Sequence, residues 1–138
     1  MGNKTAVDAY LLDTHIFLWA VRWADIDRLS DGVRDVIEEP GNTLYVSSIS
    51  VYEIVYKYRL GKIPEYANVA EDISAAINGL GAVELPVTIE HAERAGAFDW
   101  GHRDPFDIIL SAQAMTKNLT LITSDQALLD CPFINTLW

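Results

Sequence analysis

"HRDPFDIILSAQAMTKNLTLITSD", His102–Asp125, reads as a helix that runs into a strand, with an acid near each end. Asp104 is a good N-cap, Pro105 suits the first helical position, and Asp107 sets a carboxylate in the first turn, where the helix dipole favours it. The chain then turns mainly apolar, and "LTLIT", Leu119–Thr123, has the character of a short buried strand. A helix leading into a strand is the second half of a βαβ unit, whose crossover helix begins at the carboxyl edge of the sheet. Capping accounts for Asp104. Whether it accounts for Asp107 depends on the rest of the chain.

Outward from this unit the alternation continues. "YLLD", Tyr10–Asp13, reads as a strand, followed by a helix over His15–Trp23. Leu29-Ser30 opens a second helix, which Pro40-Gly41 ends. "LYVS", Leu44–Ser47, is a strand, and Ser50 to about Leu60 a helix stopped by Gly61. Asn68–Leu80 reads as one amphipathic helix, "AVEL", Ala82–Leu85, as a strand, Thr88–Ala95 as a helix and Phe133–Leu137 as a last short strand. Strands alternating with helices imply a parallel sheet covered on both faces. Ligands of such sheets sit beyond the carboxyl ends of the strands.

At 138 residues the chain forms one domain, 1–138, with residues 1–6 expected to be disordered. It has no apolar run of the roughly 18 residues that a membrane span requires, and its start lacks a secretory leader. A single cysteine, Cys131, excludes an internal disulfide and fits a cytoplasmic location. Three scattered histidines with that cysteine make no zinc pattern, so any metal would be held by oxygen, as magnesium or manganese is. A net charge of −10 argues against a protein that coats nucleic acid.

The acids matter by position. Asp13 ends the first strand, Asp125 follows "LTLIT" after Ser124, Glu53 falls in the first turn of the helix after "LYVS", and Asp107 joins them if its helix starts at the same edge. Each could be a cap; Ser50-x-x-Glu53 reads as a capping box. The set is harder to explain that way. Carboxylates converging on one edge repel each other and raise their pKa values unless a cation compensates.

"YLLDTHIFLWA", "VSSISVYEIVYKYRLGKI", "HRDPFDIILSAQAM", "LITSDQALLD" and the final "INTLW" together resemble the PIN-domain ribonucleases, in particular the VapC toxins of bacterial toxin–antitoxin pairs. The resemblance runs from about Tyr10 to Trp138. It implies a PIN-like three-layer α/β/α sandwich with a central, mainly parallel sheet of four to five strands. It places metal-binding catalytic acids at Asp13, Glu53, Asp107 and Asp125, with Mg²⁺ or Mn²⁺ as cofactor. Thr14, Asp104, Thr123 and Ser124 fall at substrate or supporting positions. It also implies an RNA substrate, an antitoxin of VapB type and a homodimer. The family's usual "DPFDR" has Ile108 for its arginine, and the usual Leu-Pro before the histidine is Asp99-Trp100. These departures bear on substrate positioning more than on metal binding.

In that reading a divalent ion acidifies a water for in-line attack on a phosphodiester and offsets the charge that develops. Lys57, Arg59 and Lys62 are candidates for contacts to the RNA backbone, or simply a solvated helix end. A haloacid-dehalogenase-like phosphatase would want a second aspartate where His15 stands, and a response-regulator receiver would want a lysine near the last strand. The alternative to a nuclease is an inert PIN fold kept for protein binding. His102 is expected to be structural, and Trp19, Trp23, Trp100 and Trp138 to be core or interface. The helices carrying Tyr52, Val55, Tyr56 and Leu60, and Ile73 and Ile77, are expected to form a groove for an amphipathic helix, leading toward Asp13 and Asp107.

Overall fold

The computed structural model describes residues 8–101 and 104–138. The expectations for residues 1–6 and for His102 lie outside the described residues.

Strand β1, Ala9–Leu12, leads through α1 (Thr14–Val21), a 3-10 segment (Trp23–Arg28) and α2 (Asp31–Glu38) to β2, Thr43–Ser47. From β2 the chain passes through α3 (Ser48–Arg59), a 3-10 turn (Pro64–Tyr66), α4 (Ala67–Ala70) and α5 (Ile73–Leu80) to β3, Val83–Leu85. Helices α6 (Ile89–Ala97) and α7 (Pro105–Lys117) then lead to β4, Thr120–Ile122, and α8 (Gln126–Leu129) to β5, Asn135–Leu137. The five strands form one sheet in the order β3-β2-β1-β4-β5. Every pairing is parallel.

Alternation along the strands divides the core. Leu12, Val46 and Ile122 pack on one face against Ile16, Phe17, Val33, Ile54, Ile73 and Ile77, which come from α1, α2, α3 and α5. Leu11 and Leu121 face the other way, toward Leu110 and Ala114 of α7 and Leu128 of α8. The chain moves outward from β1 to β3 with its helices on the first face, then returns to β4 and β5 with its helices on the second. This is what right-handed crossovers require when the direction of travel reverses. The reversal lies between β1 and β4, and a crevice opens at their carboxyl ends. The expected three-layer α/β/α sandwich is the fold observed.

Three element assignments are corrected. The helix expected over Asn68–Leu80 is two helices, because the Asp72 side chain accepts from the amide of Ala75 at 3.2 Å and caps a new helix there. Helix α1 ends at Val21, and the chain continues as a 3-10 segment. The N-cap of α3 is Ser47, whose hydroxyl accepts from Ile49 N at 3.1 Å, so Ser50 caps nothing and Glu53 falls in the second turn. Gly61 stops α3 as expected, taking the left-handed conformation (φ 76°) that a side chain would resist. Among the tryptophans, Trp19 packs against the first core cluster and Trp100 against the second, but Trp23 is 89% exposed and belongs to no core.

Candidate active site

Asp13 follows β1 directly. Its amide still belongs to the sheet, donating to the carbonyl of Ile122 at 3.0 Å, while its side chain has already turned to cap α1. One carboxylate oxygen accepts from Thr14 N at 2.7 Å, and the other accepts from the hydroxyl of Thr123 at 2.7 Å. Thr123 directly follows the neighbouring strand β4, and its hydroxyl also accepts from Asp125 N at 3.0 Å. One buried threonine thus fixes the Asp13 carboxylate and the backbone that carries Asp125. Both strands on either side of the reversal deliver an acid to the same place.

Thr14 works on the opposite flank. Its hydroxyl donates to the Ser50 hydroxyl at 2.8 Å, with both residues buried, and ties the start of α1 to α3. Glu53 lies one turn further along α3, on the same helical face as Ser50. It is buried, and its carboxylate accepts from Lys57 Nζ at 2.6 Å. Helix α7 begins at the same edge. Asp104 caps it, accepting from Phe106 N at 2.9 Å and Asp107 N at 3.4 Å, with Pro105 in the first turn. Asp107, in that turn, is buried. Asp125 caps α8, accepting from Ala127 N at 3.0 Å.

These segments enclose a depression of about 140 Å³ lined by Asp13, His15, Glu53, Lys57, Asp104, Asp107, Ser124 and Asp125. All four acids expected at the site line it, together with Asp104 and Ser124. Thr14 and Thr123 do not line it; they stand behind it and position what does. Three participants were not identified as site residues from sequence. His15 lines the depression, and Ser50, read as a cap, instead ties α3 to the start of α1 through Thr14. Lys57 was read only as a candidate contact to the RNA backbone, although Glu53-x-x-x-Lys57 is the helical spacing at which such a pair meets.

Burial raises the pKa of Asp13. The hydrogen bonds from Thr123 and Thr14, and the nearby His15, act against that rise, while the charge of Glu53 adds to it. A buried carboxylate beside a second one is a group that a cation would stabilise. The donor set is all oxygen, which suits magnesium or manganese by chemistry. Among the described residues, however, no group of three or more His, Cys, Asp or Glu side chains is disposed as it stands to hold a metal ion. Glu53 is turned to Lys57, and Asp104 and Asp125 each commit an oxygen to a helix cap. The residues fit such an ion in kind, but their present arrangement does not form a ligand set.

A second concavity, of about 500 Å³, lies between α3, α5 and the edge strand β3. Val46, Val51, Ile73 and Ile77 form its floor and Glu71, Asp72 and Glu84 stand at its sides. A groove at these helices was expected, but its lining includes neither Asp13 nor Asp107, and Ile73 and Ile77 are buried core residues. The face of α3 carrying Tyr52 (56% exposed), Val55, Tyr56 and Leu60 is instead open to solvent. The two stripes, on α3 and α5, therefore do not face the same groove.

Fold and site define a class: an open parallel α/β domain with an acid-lined depression at the point where its strand order reverses. Within that class the chain belongs to the PIN domain family, whose match spans residues 10–133. No curated protein matches it by sequence. Among solved structures it is similar to VapBC2 from Rickettsia felis bound to a promoter DNA fragment, with a TM-score of 0.66 at 16% identity, covering 94% of this chain and 97% of that one. DNA-bound VapBC from Salmonella typhimurium gives a TM-score of 0.66 at 17% identity, over 96% and 98% of the two chains. FitAcB from Neisseria gonorrhoeae gives 0.60 at 20% identity, over 94% and 96%. Likeness at these identities establishes the shared fold.

Proposed function

We propose that the protein is a Mg²⁺- or Mn²⁺-dependent endoribonuclease of the VapC type, the toxin of a toxin–antitoxin pair, acting on RNA in the cytoplasm. The observation that carries this reading is that Asp13, Glu53, Asp107 and Asp125, from four separate segments, line one depression at the strand reversal. These four residues would hold the ion. Bound there, a divalent cation supplies Lewis acidity toward water and phosphate. The chain itself supplies a prearranged carboxylate at Asp13, fixed through both oxygens by Thr14 and Thr123. Ser124, which lines the depression, would meet substrate, and Asp104 holds the first turn of α7, from which Asp107 lines the depression.

The similar VapBC assemblies support an antitoxin of VapB type as partner. The carboxylate-walled apolar groove beside α5 suits a basic amphipathic helix of such a partner. The exposed tyrosine face of α3 is where a homodimer would bury apolar surface. No helix among the described residues is long and apolar enough to cross a membrane.

The test is cleavage of RNA by purified protein. Cleavage is expected with Mg²⁺ or Mn²⁺, none with excess chelator, and none for Asp13→Asn, which should still fold. Activity that survives both chelator and Asp13→Asn would refute the proposal. Inactivity under every metal condition would favour an inert PIN fold kept for protein binding.

A further inference from the structure

Lys57 is the one lysine or arginine among the described residues that line the acid depression. Its ammonium lies 2.6 Å from Glu53 Oε2, with the lysine side chain 33% exposed and the glutamate 9%. The pair therefore sits at the boundary between site and solvent. At such a boundary an ion pair gains more than it would in open water, without the full desolvation cost of the interior. Asp13, Asp104, Asp107 and Asp125 line the same depression, so the ammonium sits among carboxylates while pairing with Glu53.

We infer that Lys57 is an exchangeable internal cation: it holds Glu53 when no metal is bound, competes with a divalent ion for that carboxylate, and turns to an RNA phosphate oxygen once Glu53 is taken. The inference rests on the nuclease reading and assigns a positioning and substrate-binding role within it. Glu53 cannot offer Oε2 to both cations at full strength, so each weakens the other's hold on it. That coupling is reciprocal. Lysine suits the exchange better than arginine would, being a point charge on a flexible stem that can swing between partners. Ile108 stands where the family pattern has arginine, and among the described residues that line the depression Lys57 is the one lysine or arginine beside the acids.

The test compares wild type, Lys57→Met, Glu53→Gln and the double variant, using the full chain. Mn²⁺ alone is titrated by calorimetry, and RNA cleavage is followed at several salt concentrations. Lys57→Met keeps the stem and removes the charge, so Mn²⁺ affinity should rise roughly fivefold, the worth of a strong part-exposed ion pair. In the Glu53→Gln background the same substitution should change Mn²⁺ affinity little, because the contested carboxylate is gone. With RNA, Lys57→Met should raise KM more than it lowers kcat, and should flatten the dependence of log KM on log salt by about 0.7, the signature of one lost contact to single-stranded phosphate. Lys57→Arg should restore the salt dependence. Unchanged or weaker Mn²⁺ binding in Lys57→Met, from a wild type that binds Mn²⁺ and cleaves RNA, would overturn the inference while leaving the nuclease reading intact. A wild type that neither binds nor cleaves would remove both.

Discussion

Asp13 carries two jobs in one carboxylate. It caps α1 through Thr14 N and faces the acid depression, and burial holds its pKa above the ordinary aspartate value. The folded state therefore keeps the proton more readily than the unfolded chain does. Protonation thus adds to stability below the ordinary aspartate pKa of about 3.9, and that contribution is lost as pH rises through the higher folded value. Asp13→Asn removes the titration, so its melting temperature relative to wild type should climb as pH rises through this window. Melts in chelator across acidic to neutral pH will show the gap, and a gap independent of pH would mean that burial does not govern this residue. Asp104 is the contrasting case. Its two amide contacts are those of a cap, so Asp104→Ala should cost about 1 kcal/mol and Asp104→Ser much less. Chemical denaturation of the two variants separates them; equal losses would argue against capping as its main stabilising role. From sequence, Asp104 was legible as a cap because Asp-Pro before a helix has one strong local meaning. The pairing of Lys57 with Glu53 was not legible, because a lysine near a helix end has several local meanings.

At the scale of the element, α3 is where the sequence misleads. Ser50-x-x-Glu53 has the spacing of a capping box, yet the helix starts earlier, under Ser47. The local pattern is satisfied equally by either serine. What decides between them is tertiary: Ser50 is needed beneath Thr14, where its hydroxyl accepts a buried hydrogen bond. The two serines should therefore fail differently. Ser47→Ala removes a cap and should cost about 1 kcal/mol. Ser50→Val leaves the Thr14 hydroxyl buried without its acceptor and should cost on the order of 1–3 kcal/mol, with Thr14→Val in addition recovering part of the loss. Denaturant unfolding of the single and double variants measures both. Additive losses for Thr14→Val and Ser50→Val would mean that the hydroxyls do not depend on each other. The split between α4 and α5 has a similar origin, since the apolar stripe of Asn68–Leu80 continues across the break and only the Asp72 cap marks it.

For the whole molecule, the parallel sheet was readable because its strands are short apolar runs regularly separated by helices, and the carboxyl-edge position of Asp13 and Asp125 follows from that alone. Strand order was not readable. Nothing local in "YLLD" or "LTLIT" says that β1 and β4 are neighbours; that depends on which face each helix covers, as settled by Leu11 and Leu121 facing α7 while Leu12 and Ile122 face α1 and α5. The same arrangement brings the start of α7 to the edge and turns four separated acids into the lining of one depression. It also explains why the expected groove does not reach the acids. The groove lies at the β3 edge of the sheet, two strands away from the β1/β4 crevice.

The central claim is that these acids form a divalent-metal site in which Asp107 binds the ion and Asp104 serves the helix. Mn²⁺ titration by calorimetry of wild type, Asp104→Ser and Asp107→Ser tests it most directly. Wild type and Asp104→Ser should bind with similar affinity, while Asp107→Ser, folded to the same helical content, should lose binding. A wild type that does not bind Mn²⁺, or equal affinity in all three proteins, would contradict the account.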